Sequence, residues 1–299
     1  MSSDSVDFYR KAGRIVAQLR SQVPSMISEE MKVLDICEKV EDFIVKMGGG
    51  PAFPCNVGIG SVAAHYTSPL GDMSIVPPDS IVKVDFGAEV SGYVADSAIT
   101  ISFNPEYQSM ILAAEEALKT AIENVRAGAK ARDVGGAIER SIANHGYKPI
   151  RNLTGHKIER YSLHTGKAIP NVADMNGTIL EEGEVYAIEP FVTSIDANGT
   201  VEDGGGPFIF KFQKEKGLRN GETKRLLDHI RKKYRTLPFA YRWLEKSYSK
   251  GNLQTAMREL LNSRCIVSYP ILVESSEKPV AQAEHTVIVE KQGCEVLTA

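Results

Sequence analysis

The sequence predicts an α+β fold: one domain of two similar lobes around a cleft, with a helical insertion in the second. Three observations predict it. The order of two helices, a glycine stop and a strand hairpin occurs twice, offset by roughly a third of the chain. Residues 212–264 then break that order with charged helical stretches set between strand-like ones. Finally, 299 residues that are 42% hydrophobic are enough to bury a sizeable core.

The elements follow in order. Residues 6–22 place Phe8, Ile15, Val16 and Leu19 at helical spacing, and Pro24 is expected to end the run. Ser28 before Glu29, Glu30 and Met31 reads as the capped start of a second helix, which runs through Ile44 and stops at Gly48-Gly49-Gly50-Pro51. Ile81–Phe86 and Tyr93–Ile101 are strand-like and flank a turn-prone stretch from Gly87 to Gly92. Asn104 and Pro105 are a good cap and first residue for a helix that runs towards Gly128. A fourth helix covers 131–145 and closes at Gly146, and strands return over 156–210. The insertion reads as helices at 221–234, 241–248 and 253–261, after which strands resume at Cys265 and Glu284.

Composition excludes several classes. Lys plus Arg is 35 and Asp plus Glu is 38, so a net charge of −3 gives no overall attraction for DNA, RNA or an anionic membrane. Lys224, Arg225, Arg231, Lys232, Lys233 and Arg235 make a local basic run. It reads first as a solvated helix face and second as a contact for RNA or the ribosome. No leader-like start and no apolar run near the ~18 residues of a membrane span are present. Cys37, Cys55, Cys265 and Cys294 lack C-x-x-C spacing and read as reduced thiols of a cytoplasmic protein. Asn-x-Thr sequons at Asn152, Asn176 and Asn198 are therefore expected to be unused.

The chemistry is expected in buried acids. Asp85 and Asp96 sit within apolar strands, where a carboxylate calls for a partner. Centring the hairpin between Val90 and Ser91 puts the two opposite one another, with Cβ atoms about 4.5–5.5 Å apart. Such a pair takes a proton or shares a cation, and two matched aspartates favour the metal. Glu189 and Glu284 lie in similar strand-like runs. Gln282 and Glu284 share a face, which leaves His285 as a structural hydrogen-bonder. His65, His156 and His164 have small or apolar neighbours, whereas His145 and His229 read as surface residues of helices.

Five stretches in order carry a resemblance: Ala-Phe-Pro with Ala-Ala-His-Tyr-Thr, Val-Asp-Phe-Gly with Ala-Asp-Ser-Ala, Thr-Gly-His with Leu-His-Thr-Gly-Lys, Ala-Ile-Glu-Pro-Phe, and Glu-His-Thr-Val. Together they resemble the methionine aminopeptidases. The insertion before Cys265 is similar to that of the type 2 subclass, and the lack of a long charged extension to that of its archaeal members. The resemblance implies the pita-bread fold around a dinuclear metal centre, in a single domain over 1–299 with an insertion subdomain at 212–264. It implies Asp85, Asp96, His156, Glu189 and Glu284 as ligands of two divalent ions, Co, Mn, Fe or Zn, with Asp96 and Glu284 bridging. His164 would address the scissile peptide and His65 the substrate N-terminus, with Phe53 in the methionine pocket. A hydroxide held between the ions would then free N-terminal methionine from nascent chains, in a monomer with a ribosome contact as a further partner. One departure is Ala283, where the resemblance implies a bulkier, often aromatic residue.

Two rivals stand beside this reading. An X-Pro peptidase of the same fold is disfavoured by the insertion and by the Leu-His-Thr-Gly-Lys context. A non-catalytic binding relative is expected to lose ligand positions, and this chain keeps five. A thiol enzyme ranks below both, because no cysteine has an evident partner histidine and acid.

Overall fold

Apolar residues three and four apart bring Tyr9, Ala12, Val16, Leu19 and Val23 onto the buried side of helix α1 (Ser3–Met26). The computed structural model describes residues 3–174, 177–245 and 247–299, and the sequon at Asn176 lies outside them. Pro24 does not end α1 but sits in its last turn. There its missing N–H costs a single helical bond, and only two residues follow. Helix α2 (Val33–Lys46) starts later than expected, with Lys32 as N-cap and no side-chain cap. Ser28 instead closes a turn to Met31, and Glu30 adopts a left-handed φ of 62°.

The two helices cover a sheet in which strand Ile81–Val90 lies between Asn56–Ile59 and Tyr93–Ser102, and their shared core includes Ile36, Val40, Val84 and Phe86. The hairpin corrects the expected register. Its strands run to Val90 and from Tyr93, and only Ser91 and Gly92 turn, both with positive φ (55° and 86°). Two left-handed residues are what a tight two-residue hairpin requires. Asp85 therefore pairs with Ala98, and Asp96 with Gly87. The slip moves Asp96 two positions along, so both acids keep one face but lie diagonally.

The second lobe repeats the plan. Asn104 caps a short 3-10 turn (Pro105–Tyr107) by accepting the Glu106 N–H, and helices α3 (Gln108–Asn124) and α4 (Ala131–Asn144) follow. They pack on a sheet ordered Gly293–Val296, His285–Glu290, Val185–Ile188, Thr154–Ile158, Ala168–Pro170. Ala283 is buried in this lobe's core with Ile188 and Val192 and does not line the cleft.

Residues 213–264 supply helices α5 (Gly221–Tyr234), α6 (Tyr241–Glu245) and α7 (Lys250–Asn262), packed around Leu226, Ile230, Phe239, Leu244 and Leu260. They are not all helix, contrary to the helical insertion expected from sequence. Strand Pro238–Ala240 joins Ile209–Phe212 and Ile266–Tyr269 in a sheet. Three residues are too few to show an alternating pattern.

The lobes meet along a polar seam. Glu284 N–H donates to Ala98 O (3.1 Å), and the Ser97 hydroxyl donates to Glu284 O (2.7 Å). Thr286 Oγ1 accepts from Asp96 N (2.7 Å) and donates to Asp96 O (2.8 Å). Thr100 makes the same double bond with Gln282. From α1, Arg20 Nη1 donates to Ser97 Oγ (2.9 Å), Ala98 O (2.8 Å) and Glu284 O (3.2 Å). The seam thus fixes the backbone of Asp96, in a strand of the first lobe, against that of Glu284, just before strand His285–Glu290 of the second.

Candidate metal centre and cleft

Strand alternation carries Asp85 and Asp96 inward from the first lobe. His156 comes from the interior strand Thr154–Ile158 of the second, and Glu189 and Glu284 stand at strand ends. All five line one cleft of about 200 Å³, together with Phe53, His65 and His164. A water needs about 10–15 Å³ on this measure, so the cleft has room for roughly a dozen such bodies. Every site residue expected from the sequence is therefore brought to one place.

The centre is tight. Ligand atoms of Asp96, His156 and Glu284, all buried, lie within 4.8 Å of one another. His156 Nε2 stands 3.6 Å from Asp96 Oδ2 and 3.5 Å from Glu189 Oε1, too long for good hydrogen bonds. Gln282 Nε2 donates to Glu284 Oε2 at 3.2 Å. Asp85 Oδ1, Asp96 Oδ1 and His156 Nδ1 are buried without a hydrogen-bond partner.

The electrostatics agree. Burial pushes the Asp85 carboxyl up to about 7. Burial, reinforced by the neighbouring carboxylates, raises Asp96, Glu189 and Glu284 well above the carboxylate range. Burial beside His164 holds His156 neutral. Four crowded acids beside a neutral imidazole make a donor set whose repulsion a cation would relieve. The oxygen-rich donor set with one nitrogen fits Mn²⁺, Fe²⁺, Co²⁺ or Zn²⁺.

The other histidines flank this centre. The His164 ring lies 4.3 Å from that of His156. The cleft walls and Lys211 depress its pKa, though its edge meets solvent, which limits the shift below that of His156. His65 is held at φ 66°, with Nδ1 3.1 Å from Pro270 O and its ring edge-on to Tyr269. Burial keeps it neutral as well. Phe53 is 5% exposed and fills the space opposite Gly87, where a Cβ would stand 2.5 Å from its Cε1.

Sequence reasoning missed part of the lining: Asn56, Leu163, Phe191, Ile209, Pro238 and Tyr269. Asn56, a lone amide in an apolar run, gave a signal, since it pairs in register with Asp85. The apolar members gave none, because the contacts joining them span distant segments. His285 donates to or accepts from Thr298 Oγ1 at 2.7 Å, a structural bond outside the cleft lining.

Residues 7–230 match the model of metallopeptidase family M24. A methionine aminopeptidase of Methanothermobacter thermautotrophicus is 45% identical over 98% of this chain and 98% of its own. Among solved structures, a methionine aminopeptidase of Thermotoga maritima aligns at TM-score 0.71 and 22% identity over 100% of this chain and 98% of its own. A thermophilic Arx1 aligns at TM-score 0.87 and 17% identity over 99% and 91%, a likeness of fold alone.

Proposed function

The chain belongs to metallopeptidase family M24, with its pita-bread fold, and on that premise we propose that it removes N-terminal methionine from nascent proteins and peptides. It is an enzyme of the methionine aminopeptidase kind and uses divalent metal. The observation that carries the reading is the group of partnerless buried oxygens and imidazole drawn from both lobes.

Asp85, Asp96, His156, Glu189 and Glu284 would together hold the two divalent ions of this reading. When bound, the ions polarise the scissile carbonyl and make water nucleophilic near neutral pH. The chain's own residues do the rest. With Nδ1–H donated to Pro270 O, a neutral His65 keeps Nε2 as an acceptor for a proton of the substrate's α-ammonium. His164, beside His156, donates a hydrogen bond to the peptide being cut. Phe53, Leu163, Ile209 and Pro238 form the apolar wall against an unbranched thioether side chain. Such a pocket discriminates by ~1–3 kcal/mol per methylene, so selectivity is graded.

The domain reading follows: one catalytic unit over 1–299, with 212–264 as a subdomain inserted in it. No described helix is long and apolar enough to cross a membrane. We place the enzyme in the cytoplasm as a monomer, where nascent chains emerge, with the basic face of α5 towards the ribosome.

The test is a chelator-stripped protein reloaded with Mn²⁺, Fe²⁺, Co²⁺ or Zn²⁺ in turn, assayed on Met-Ala-Ser and X-Pro peptides. Methionine release that appears only with metal, at two ions per chain, is expected, and Asp85→Ala is expected to lose both metal and turnover. Metal-independent release, a preference for X-Pro, or full activity in reloaded Asp85→Ala would overturn the reading.

A further inference from the structure

The insertion contributes Pro238 to the cleft wall and, four residues on, sends Arg242 into the first lobe. Arg242 is 1% exposed. Its Nη2 donates to Glu41 Oε1 on α2, and its Nη1 donates to Thr67 Oγ1 (2.6 Å) and reaches Ser68 O (3.4 Å). Glu41, 8% exposed, uses both oxygens. Oε1 also accepts the Cys55 N–H (3.0 Å), and Oε2 accepts Trp243 Nε1–H (2.8 Å). One carboxylate thus ties down residues 53–56, and one guanidinium ties down 65–68. Phe53, Asn56 and His65 of the cleft stand on those two segments, and His65 holds a left-handed backbone that its surroundings must maintain.

We propose that the buried Arg242–Glu41 pair is a positioning pair, through which the insertion sets the apolar wall and His65 and so governs selection of the substrate's N-terminal side chain. The proposal rests on the aminopeptidase reading above. Stability alone does not call for charges here, since well-packed apolar residues of similar volume serve as well. What the ions add is direction: hydrogen bonds of fixed geometry to Cys55, Thr67, Ser68 and Trp243, in three separate segments. None of these bonds goes to a proposed metal ligand, so the effect falls on side-chain recognition rather than on metal.

Removing one partner strands a buried charge and tests folding instead, so the informative variant is Glu41→Leu/Arg242→Met. Its conservative companion is Arg242→Lys, which keeps the charge pair but loses the fork to Thr67 and Ser68. Full-length, Mn²⁺-loaded proteins are compared on peptides beginning with Met, norleucine or Leu. The double variant is expected to keep wild-type near-UV circular dichroism and Mn²⁺ content, with kcat within about threefold. Its KM for the Met peptide rises roughly tenfold, and its preference for Met over Leu falls by a similar factor. Trp243, the single tryptophan, reports binding without turnover. Its emission responds to added L-methionine in the wild type and responds weakly in the double variant, with Arg242→Lys intermediate.

A folded double variant with wild-type KM, discrimination and Trp243 response overturns the proposal, as does parallel loss of Mn²⁺. If the double variant does not fold, Arg242→Lys decides by the same readings. A wild type that binds L-methionine but releases none from peptides counts against the enzyme reading and leaves the positioning test to Trp243.

Discussion

Single residues in this cleft act through their protonation and their partners. His164 stands beside His156 rather than among the carboxylates, so His164→Ala is expected to lower kcat about 10²-fold with metal content unchanged. Unchanged kcat would remove its role. A second residue acts through the loop beyond His65. Asp72 accepts from Ser74 Oγ (2.6 Å), Tyr66 OH (2.6 Å), Ser68 Oγ (2.7 Å) and the Ser74 N–H (2.9 Å). Burial opposes its charge, but these donors win and hold its carboxyl down to about 2. The folded state therefore binds its proton less readily than the unfolded chain, whose value is 3.8. The resulting stability is present above pH 3.8 and is lost as pH falls through about 2. Asp72→Asn is expected to cost about 1 kcal/mol at pH 7, a discounted figure because the loop is partly exposed, and nothing below pH 2. Denaturant unfolding across that range checks it; an equal loss at both ends would be wrong for this mechanism.

At the scale of elements, legibility depended on how local the determinants were. The Asn104 cap, which closes the 3-10 turn leading into α3, and the limits of α5 could be read directly, because one side chain or one periodic run decides them. The Asp85–Asp96 register could not, since it turns on Ser91 and Gly92 alone adopting positive φ, which composition only hints at. The face was still right, because an error of two residues preserves alternation. The seam had no sequence signal: Arg20, Ser97 and Thr286 look like ordinary polar residues until α1 and both lobes are assembled. Arg20→Met is expected to destabilise the protein by about 2–3 kcal/mol in denaturant unfolding, because one charged donor serves three acceptors. It is also expected to weaken metal retention roughly tenfold as Glu284 and Asp96 lose their shared anchor. Calorimetric titration with Mn²⁺ checks the second effect, and wild-type affinity would show the seam to be structural only.

For the whole molecule, the candidate site was more legible than the packing around it. A lone acid in a strand reads as a solvent-facing edge residue, but several acids in apolar strands are costly enough together to stand out. Asp85, Asp96, Glu189 and Glu284 could therefore be picked as candidates before any coordinates. Ile209, Pro238 and Tyr269 are ordinary residues for a sheet, and only the third core, folded back over the cleft, makes them part of its wall. The helical pattern of that region was visible, but its short strand and its Arg242 anchor were not.

Neither lobe owns a complete set of the proposed ligands: two come from the hairpin of the first and three from the second, and Glu284 is encoded after all the others. A ribosome making this protein delivers Asp85 and Asp96 some two hundred codons before that glutamate. The emerging polypeptide therefore stays inert through most of its own synthesis, and peptide cutting starts only once the last strands have been translated and docked.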